Sequence, residues 1–465
     1  MLKKLSFALP FVVAIFSVVT LFSANSERVD LGQVVAPAIF SLIVAGLFLV
    51  LFWLFKWTSA EAPLVASVFT GFSLCWYIAP WPVNIALLGL TLFIVVLSRH
   101  NTSYGSEFRA GLPQLKKVLL IMLVVGIVAS SALAIPGQVS SADNSQGLES
   151  YVSNPGQPNI YFLVPDRMPS PAAMRESGID PDQFVGDLRG LGFYVKEDQA
   201  SADPYLAGIG GSFFVETSEV KIHTTRTMRY FASVLNGGVG IPLGISYQDC
   251  RTMIRDNAAF TWLHGKGYKI VNVASWFTET SRFPDADQNL TFEDVSPLER
   301  FYQNELGEAA ISRSLLRGLN LRALQQRGYT DGIEIRRLQW QSSRIQDQAA
   351  AGGSSTFVIS HIMLPHEPFV FGDPSASIQD QYYANIRQAM TYLSDLAGEL
   401  RAADPSAVII IQSDEGMAFR KPIELNYKLS PVQWSGVFSA WFMPNYNQDL
   451  INIKHTDILG VVLEK

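Results

Sequence analysis

The chain has 465 residues, enough for two or three domains. Its charge is split: residues 1–138 hold eight Lys/Arg against four Asp/Glu, and the remainder 27 against 37. An acidic C-terminal part argues against nucleic acid as a partner, because phosphate binding needs a basic surface, and Cys75 and Cys250 lie too far apart to suggest a disulfide framework.

Five apolar runs come first, at about Leu5–Ala24, Val34–Phe55, Pro63–Ile78, Val83–Leu97 and Val118–Ile135. Each is long enough, or nearly so, for a hydrocarbon core that takes roughly 20 helical residues. The third and fourth are short, are separated by Ala79-Pro80-Trp81-Pro82, and read as a tight helical hairpin. The first reads as an anchor rather than a cleaved signal peptide. Lys3, Lys4, Lys56, Arg99, Arg109, Lys116 and Lys117 all fall on one side if the N-terminus is cytoplasmic, and the opposite loops carry only Arg28. The expectation is a multi-pass protein of the cytoplasmic (inner) membrane, with residues 1–135 as a five-helix transmembrane domain. Everything after about residue 136 then lies on the extracytoplasmic side. The runs carry almost no ionisable residues, which argues against transport through them.

Residues 136–158 are rich in Pro, Gly, Ser and Gln and read as a linker. After it, residues 159–465 read as one large domain. Four apolar runs look like strands covered on both faces: Asn159–Asp166, Tyr268–Ser275, Ser355–Met363 and Ala407–Asp414. Helical patterns lie between them. "DPDQFVGDLRGLG" sets Phe184, Leu188 and Leu191 on one face, "DNAAFTWLHGKG" is short, and "DQYYANIRQAMTYLSDLAGELRAAD" is long. Strand and helix in alternation give an α/β fold with a mainly parallel sheet, whose ligands bind beyond the carboxyl ends of the strands.

Those strand ends carry the chemistry. The first runs out at Asp166, the fourth at Asp414 and Glu415, and the third passes through His361 toward His366. Carboxylates gathered in one crevice repel, and a divalent cation removes that cost. The bland alternative is that each Asp merely favours the turn after its strand. Arg167, beside Asp166, could offset charge, although an ordinary surface role suits it as well.

Five segments, in order, then carry a resemblance: "PNIYFLVPDRM", "GFYVKED", "IRDNAAFTWLHGKGYKIVNV", "FVISHIMLPHEPFVF" and "VIIIQSDEG". With the apolar N-terminal part, they resemble the membrane-anchored sulfatase-like transferases of the alkaline phosphatase superfamily. In particular, they resemble lipoteichoic acid synthases and related phosphoglycerol or phosphoethanolamine transferases. The resemblance implies a doubly wound domain holding one divalent metal ion, with a hydroxyl nucleophile that attacks phosphorus in a lipid- or glycan-linked ester at the membrane surface. In that family the nucleophile is a Thr shortly before an "ASSLN"-like helix. Here "TTRTMRYFASVLN" matches and the spacing selects Thr227, with Thr224 and Thr225 as fallbacks. A hydroxyl at a helix N-terminus sits where free N–H groups favour an anion, although Thr is also a good N-cap. His361 and His366 resemble the histidines that contact the substrate in the family. No C/S-x-P-x-R motif occurs, which disfavours arylsulfatase chemistry.

Where the family has Asp-His, this chain has Asp414-Glu415. The implied ligand set is therefore Asp166, Thr227, Asp414 and Glu415. It is hard, and it favours Mn²⁺ or Mg²⁺ over Zn²⁺ or Ca²⁺. Its extra negative charge faces an anionic substrate. The rival reading is a chain that keeps the fold but not the activity, and binds a head group or a partner in envelope assembly.

Overall fold

The computed structural model describes residues 7–23, 34–54, 65–67, 69–70, 157–200, 226–242, 244–294, 330–352, 355–418, 429–444 and 453–464. The chain divides into two compact units, one of residues 1–141 and 295–327, the other of residues 142–294 and 328–465.

In the first unit, α1 (Leu9–Ser23) and α2 (Val35–Leu54) fall within the first two apolar runs. Ala14 packs near Ala45, while Val18, Leu21 and Phe22 meet Val34 and Ala38, so the two helices run antiparallel. Small residues allow that approach in an apolar setting. The hydroxyls of Ser17 and Thr20 donate back to the carbonyls of Val13 (2.9 Å) and Phe16 (2.8 Å), which satisfies them within the helix. On α2, Val35, Ile39, Ile43, Leu47, Leu51 and Leu54 form an exposed apolar row. Pro37–Leu54 is long and apolar enough to cross a membrane, the one such stretch among the described residues. Of the third run only residues 65–67 and 69–70 are described, as helix; the fourth and fifth runs lie outside the described residues.

The second unit is built on a seven-stranded sheet of order β2-β7-β6-β1-β5-β3-β4. The strands are β1 (Ile160–Pro165), β2 (Tyr194–Val195), β3 (Lys269–Val273), β4 (Gln288–Leu290), β5 (Thr356–Ile362), β6 (Val408–Gln412) and β7 (Ser439–Phe442). β6, β1, β5, β3 and β4 are parallel, and β7 is antiparallel to both β6 and β2. The four strands expected from the sequence are the central ones. Their apolar runs are continuous because alternate side chains feed two cores. Tyr161, Leu163, Val358, Ile409 and Ile411 face one. Ile160, Phe162, Phe357, Val408 and Ile410 face the other.

Helices cover both faces, as in a doubly wound fold. Over the first core lie α4 (Asp182–Gly190), α9 (Thr330–Ala350) and α10 (Ile378–Ala403), which buries Tyr382, Ile386, Ala389, Leu393, Leu396 and Leu400 at helical spacing. Over the second lie α5 (Arg226–Val234), α6 (Tyr247–Arg255), α7 (Ala258–Gly265) and α12 (Ile458–Glu464). Short helices α3 (Pro171–Glu176), α8 (Thr278–Ser281) and α11 (Pro431–Ser435) flank the strand ends. Local chemistry sets the helix starts. Asn257 and Ser377 accept from the third residue on, Phe260 N (2.8 Å) and Asp380 N (3.1 Å), and each such N-cap contributes about 1 kcal/mol.

Candidate metal centre

β1 lies between β5 and β6, so the residues that follow or close these three strands share one end of the sheet. Val164 pairs with His361 and Leu163 with Ile411. The Asp166 amide extends the β1–β5 ladder to the Ile362 carbonyl at 2.8 Å. Parallel register therefore brings Asp166, His361 and Asp414 together, with one potential ligand atom from each lying within 4.8 Å of the others.

The three side chains are 1%, 1% and 2% exposed, which rules out water as their general solvent. Asp414 Oδ1 accepts two backbone amides, from Arg167 (3.1 Å) and Glu415 (2.8 Å). Asp414 Oδ2, Asp166 Oδ1 and His361 Nε2 have no hydrogen-bond partner among the described residues. Orphaned buried acceptors cost about 1–3 kcal/mol each, more when charged. On His361 the Nδ1 atom lies 2.9 Å from Thr280 Oγ1, which is itself 2.8 Å from Ser275 Oγ. That contact fixes the ring and aims Nε2 inward, 3.4 Å from Asp166 Oδ2.

The electrostatics agree with the geometry. Burial raises Asp166 well above the ordinary carboxylate range, Arg167 pulls it back, and Glu415 and Glu367 push it further up. Asp414 is pushed up to about 8, by burial first and then by Asp166 and Glu415, with His361 and the Thr227 hydroxyl opposing. Burial lowers His361 to about 4, although Asp414 and Glu415 act against it. Burial opposes charge on both carboxylates and on the imidazole, and a cation among them would offset that cost for the carboxylates. The donors fit a divalent metal ion: two carboxylate oxygens and one imidazole nitrogen.

Thr227 is the second residue of α5 and is 5% exposed. Its hydroxyl is close enough to Asp414 to help hold that carboxylate charged. α5 itself is pinned: Arg229, 1% exposed, donates to the carbonyls of Ile241 (2.7 Å) and Pro242 (2.9 Å). Thr224 and Thr225 lie outside the described residues.

Glu415, expected as a fourth ligand, faces two guanidinium groups and is not one of the three grouped residues. Its Oε1 lies 2.7 Å from Arg167 Nε and its Oε2 3.4 Å from an Arg226 nitrogen. Arg167 is no ordinary surface residue: its side chain is 14% exposed and also lies 3.8 Å from Asp166. Burial works against its charge, but Glu415, Asp166 and Glu367 together raise its pKa. Its backbone has φ +63°, a left-handed conformation costing about 1–2 kcal/mol for a side-chain-bearing residue. The Tyr382 hydroxyl donating to the Arg167 carbonyl at 2.6 Å and the amide bond to Asp414 hold it there. The Arg226 guanidinium lies over the Trp434 ring at 3.6 Å. The sequence signal for both arginines was adjacency alone: one follows Asp166, the other precedes Thr227.

His366 is half-buried and meets Trp276 edge-on, with ring centres 5.7 Å apart; it is not one of the three grouped residues. The turn after β6 is braced throughout. Ser413 Oγ accepts from Met168 N (2.8 Å) and donates to the Glu415 carbonyl (2.8 Å). Buried His455 contacts the Ser413 carbonyl through Nε2 at 2.5 Å. A Cβ on Gly416 would lie 2.6 Å from the Trp434 carbonyl oxygen, so only glycine allows that approach.

No family model matches the chain, and no curated protein matches it in sequence. Among solved structures, it is similar to the C-terminal periplasmic domain of EptC from Escherichia coli in complex with zinc, at 12% identity and TM-score 0.36, over 66% of this chain and 82% of that one. It is also similar to the lipoteichoic acid synthase LtaP from Listeria monocytogenes, at 11% identity and TM-score 0.35, over 65% and 75%. A third is the integral membrane lipooligosaccharide phosphoethanolamine transferase A from Neisseria meningitidis, at 11% identity and TM-score 0.36, over 93% and 88%. These are proteins of the kind that the collinear sequence motifs resemble.

Proposed function

We propose that the chain is a membrane-anchored, metal-dependent phosphotransferase or hydrolase acting on a lipid- or glycan-linked phosphate ester at the outer face of the cytoplasmic membrane. The observation that carries this reading is the convergence of three buried, unpartnered ligand atoms, from Asp166, His361 and Asp414, beside the Thr227 hydroxyl. Asp166, His361 and Asp414 would hold one divalent ion. An imidazole nitrogen in the set moves the preference from Mg²⁺ toward Mn²⁺ or Zn²⁺. When bound, the ion supplies Lewis acidity and lowers the pKa of a nearby hydroxyl.

The protein's own groups do the rest. Thr227 is the nucleophile, attacking phosphorus and forming a covalent phosphothreonine as the alkoxide of the leaving group departs. The N-terminal turn of α5 favours the negative charge that gathers there. Asp414 accepts the Thr227 proton, and the departing alkoxide takes up a proton from water. His361 keeps its ring orientation through Thr280, and His366, at the exit of β5, faces the leaving group. The membrane-anchoring helices raise the effective concentration of a lipid-borne donor.

The test uses the full chain in detergent micelles, loaded with Mn²⁺ or Zn²⁺ and given a chromogenic phosphodiester. Turnover that disappears in Thr227→Ala, with a phosphothreonine trapped in the wild-type protein by mass spectrometry, supports the reading; equal turnover in the variant removes the nucleophile. A binding-only role is favoured by one observation, the second carboxylate at the strand end, Glu415 beside Asp414, whose negative charge faces an anionic substrate. A metal-loaded protein that binds phosphate but turns over no ester would establish it.

A further inference from the structure

The chain places an anion, Glu415, where an anionic substrate must come, and then surrounds it with two cations. We infer that Glu415 is not a metal ligand but the anchor of a two-guanidinium subsite, in which Arg167 and Arg226 receive the phosphoryl oxygens of the substrate. This deepens the phosphotransferase reading and rests on it.

Placement is the first argument. Arg167 directly follows Asp166 of the metal triad, and Arg226 directly precedes Thr227, so each guanidinium is one residue from a reacting part. The contacts are the second. Each Glu415 oxygen faces a different guanidinium, at 2.7 Å and 3.4 Å, leaving no incentive for that carboxylate to turn toward an ion. Arg226 is held flat by Trp434 at 3.6 Å, and Arg167 donates sideways to the Ala418 carbonyl at 3.4 Å. A guanidinium carries five N–H donors in a rigid fork, more than its contact with one Glu415 oxygen uses, and a tetrahedral oxyanion can compete for them. Side-chain exposures of 14% and 11% keep both groups reachable yet poorly screened.

Charge counting is the third argument. Asp166, Asp414, Glu415 and the nearby Glu367 with a divalent ion alone would leave the site at two negative charges, repelling a phosphodiester. Arg167 and Arg226 bring that sum to zero, which removes the repulsion. The arginines thereby compensate for the glutamate that replaces a neutral residue at this turn.

The test measures two affinities of the full chain in detergent by titration calorimetry: Mn²⁺, and inorganic phosphate on the Mn²⁺-loaded protein. Arg226→Gln and Arg167→Gln should each weaken phosphate by about tenfold or more while leaving Mn²⁺ affinity within about threefold. Arg226→Lys, which keeps the charge but not the fork, should fall between wild type and Arg226→Gln. Glu415→Gln should leave Mn²⁺ affinity within about threefold, because it loses no ligand. A tenfold or larger loss of Mn²⁺ affinity in Glu415→Gln would make it a ligand after all, and an unchanged phosphate affinity in Arg226→Gln would remove the subsite. The two readings fail separately. Arginine-dependent phosphate binding without any ester turnover keeps the subsite and sinks the transferase; turnover with arginine-independent phosphate binding does the reverse.

Discussion

Two clusters of buried charge lie side by side beyond β1, β5 and β6, and the protein treats them in opposite ways. Asp166, His361 and Asp414 are left with orphaned atoms and strongly shifted pKa values. Arg167, Glu415 and Arg226 pair with one another, each carboxylate oxygen facing a guanidinium. The first cluster leaves buried ligand atoms without a hydrogen bond, whereas in the second the carboxylate already meets its counter-charges. That difference separates a place prepared for an ion from a place prepared to balance charge around it.

The contrast can be broken most severely at the nucleophile. Thr227→Ala should lower ester turnover by more than ~10³-fold. Its Mn²⁺ affinity, read by calorimetry, should fall by no more than about tenfold, because the triad remains. Next comes the support of the open cluster. Thr280→Val removes the hydroxyl that fixes His361 and should weaken Mn²⁺ binding by about 10–100-fold with the fold retained by circular dichroism. An unchanged affinity would mean that His361 does not ligate.

A pH dependence follows from the same cluster. Without metal, the folded state holds a proton on Asp414 up to about pH 8, whereas the unfolded chain releases it near the ordinary carboxylate value. The folded state therefore binds more protons, and stability falls as pH rises toward about 8. His361, lowered to about 4, acts in the opposite direction, but only below the ordinary imidazole value near 6.5. The melting temperature of the chelated chain should thus decline between about pH 6.5 and 8, and bound Mn²⁺ should flatten the slope. A flat profile in chelator would show that the open cluster carries no such strain. The smallest effect belongs to the turn that separates the clusters. Gly416→Ala should cost about 1–3 kcal/mol in unfolding, because the new Cβ meets the Trp434 carbonyl.

Much of the fold was legible because buried parallel strands write themselves as near-continuous apolar runs: β1, β3, β5 and β6 all did so. The edges did not. β2 has two residues, β4 is the polar, half-exposed Gln288–Leu290, and β7 is four residues long. Asp166 and Asp414 could be read as a pair because position at a strand end is a local property. The partners of Glu415 could not, since Arg226 is brought to it by the packing of α5 and no spacing rule encodes that. His361 was visible as a strand-end imidazole, but its inward aim depends on Thr280, on a helix that shows no periodic signal.

The closed triplet also has a consequence for how such a site can change over time. Removing Glu415 takes a counter-charge from two poorly exposed guanidinium groups at once, whereas removing either arginine leaves Glu415 the other. Exchanging the three together need cost little. Single substitutions at position 415 would then cost more than the coordinated exchange, so these positions should behave as one heritable unit, with the order of substitutions deciding which intermediates survive.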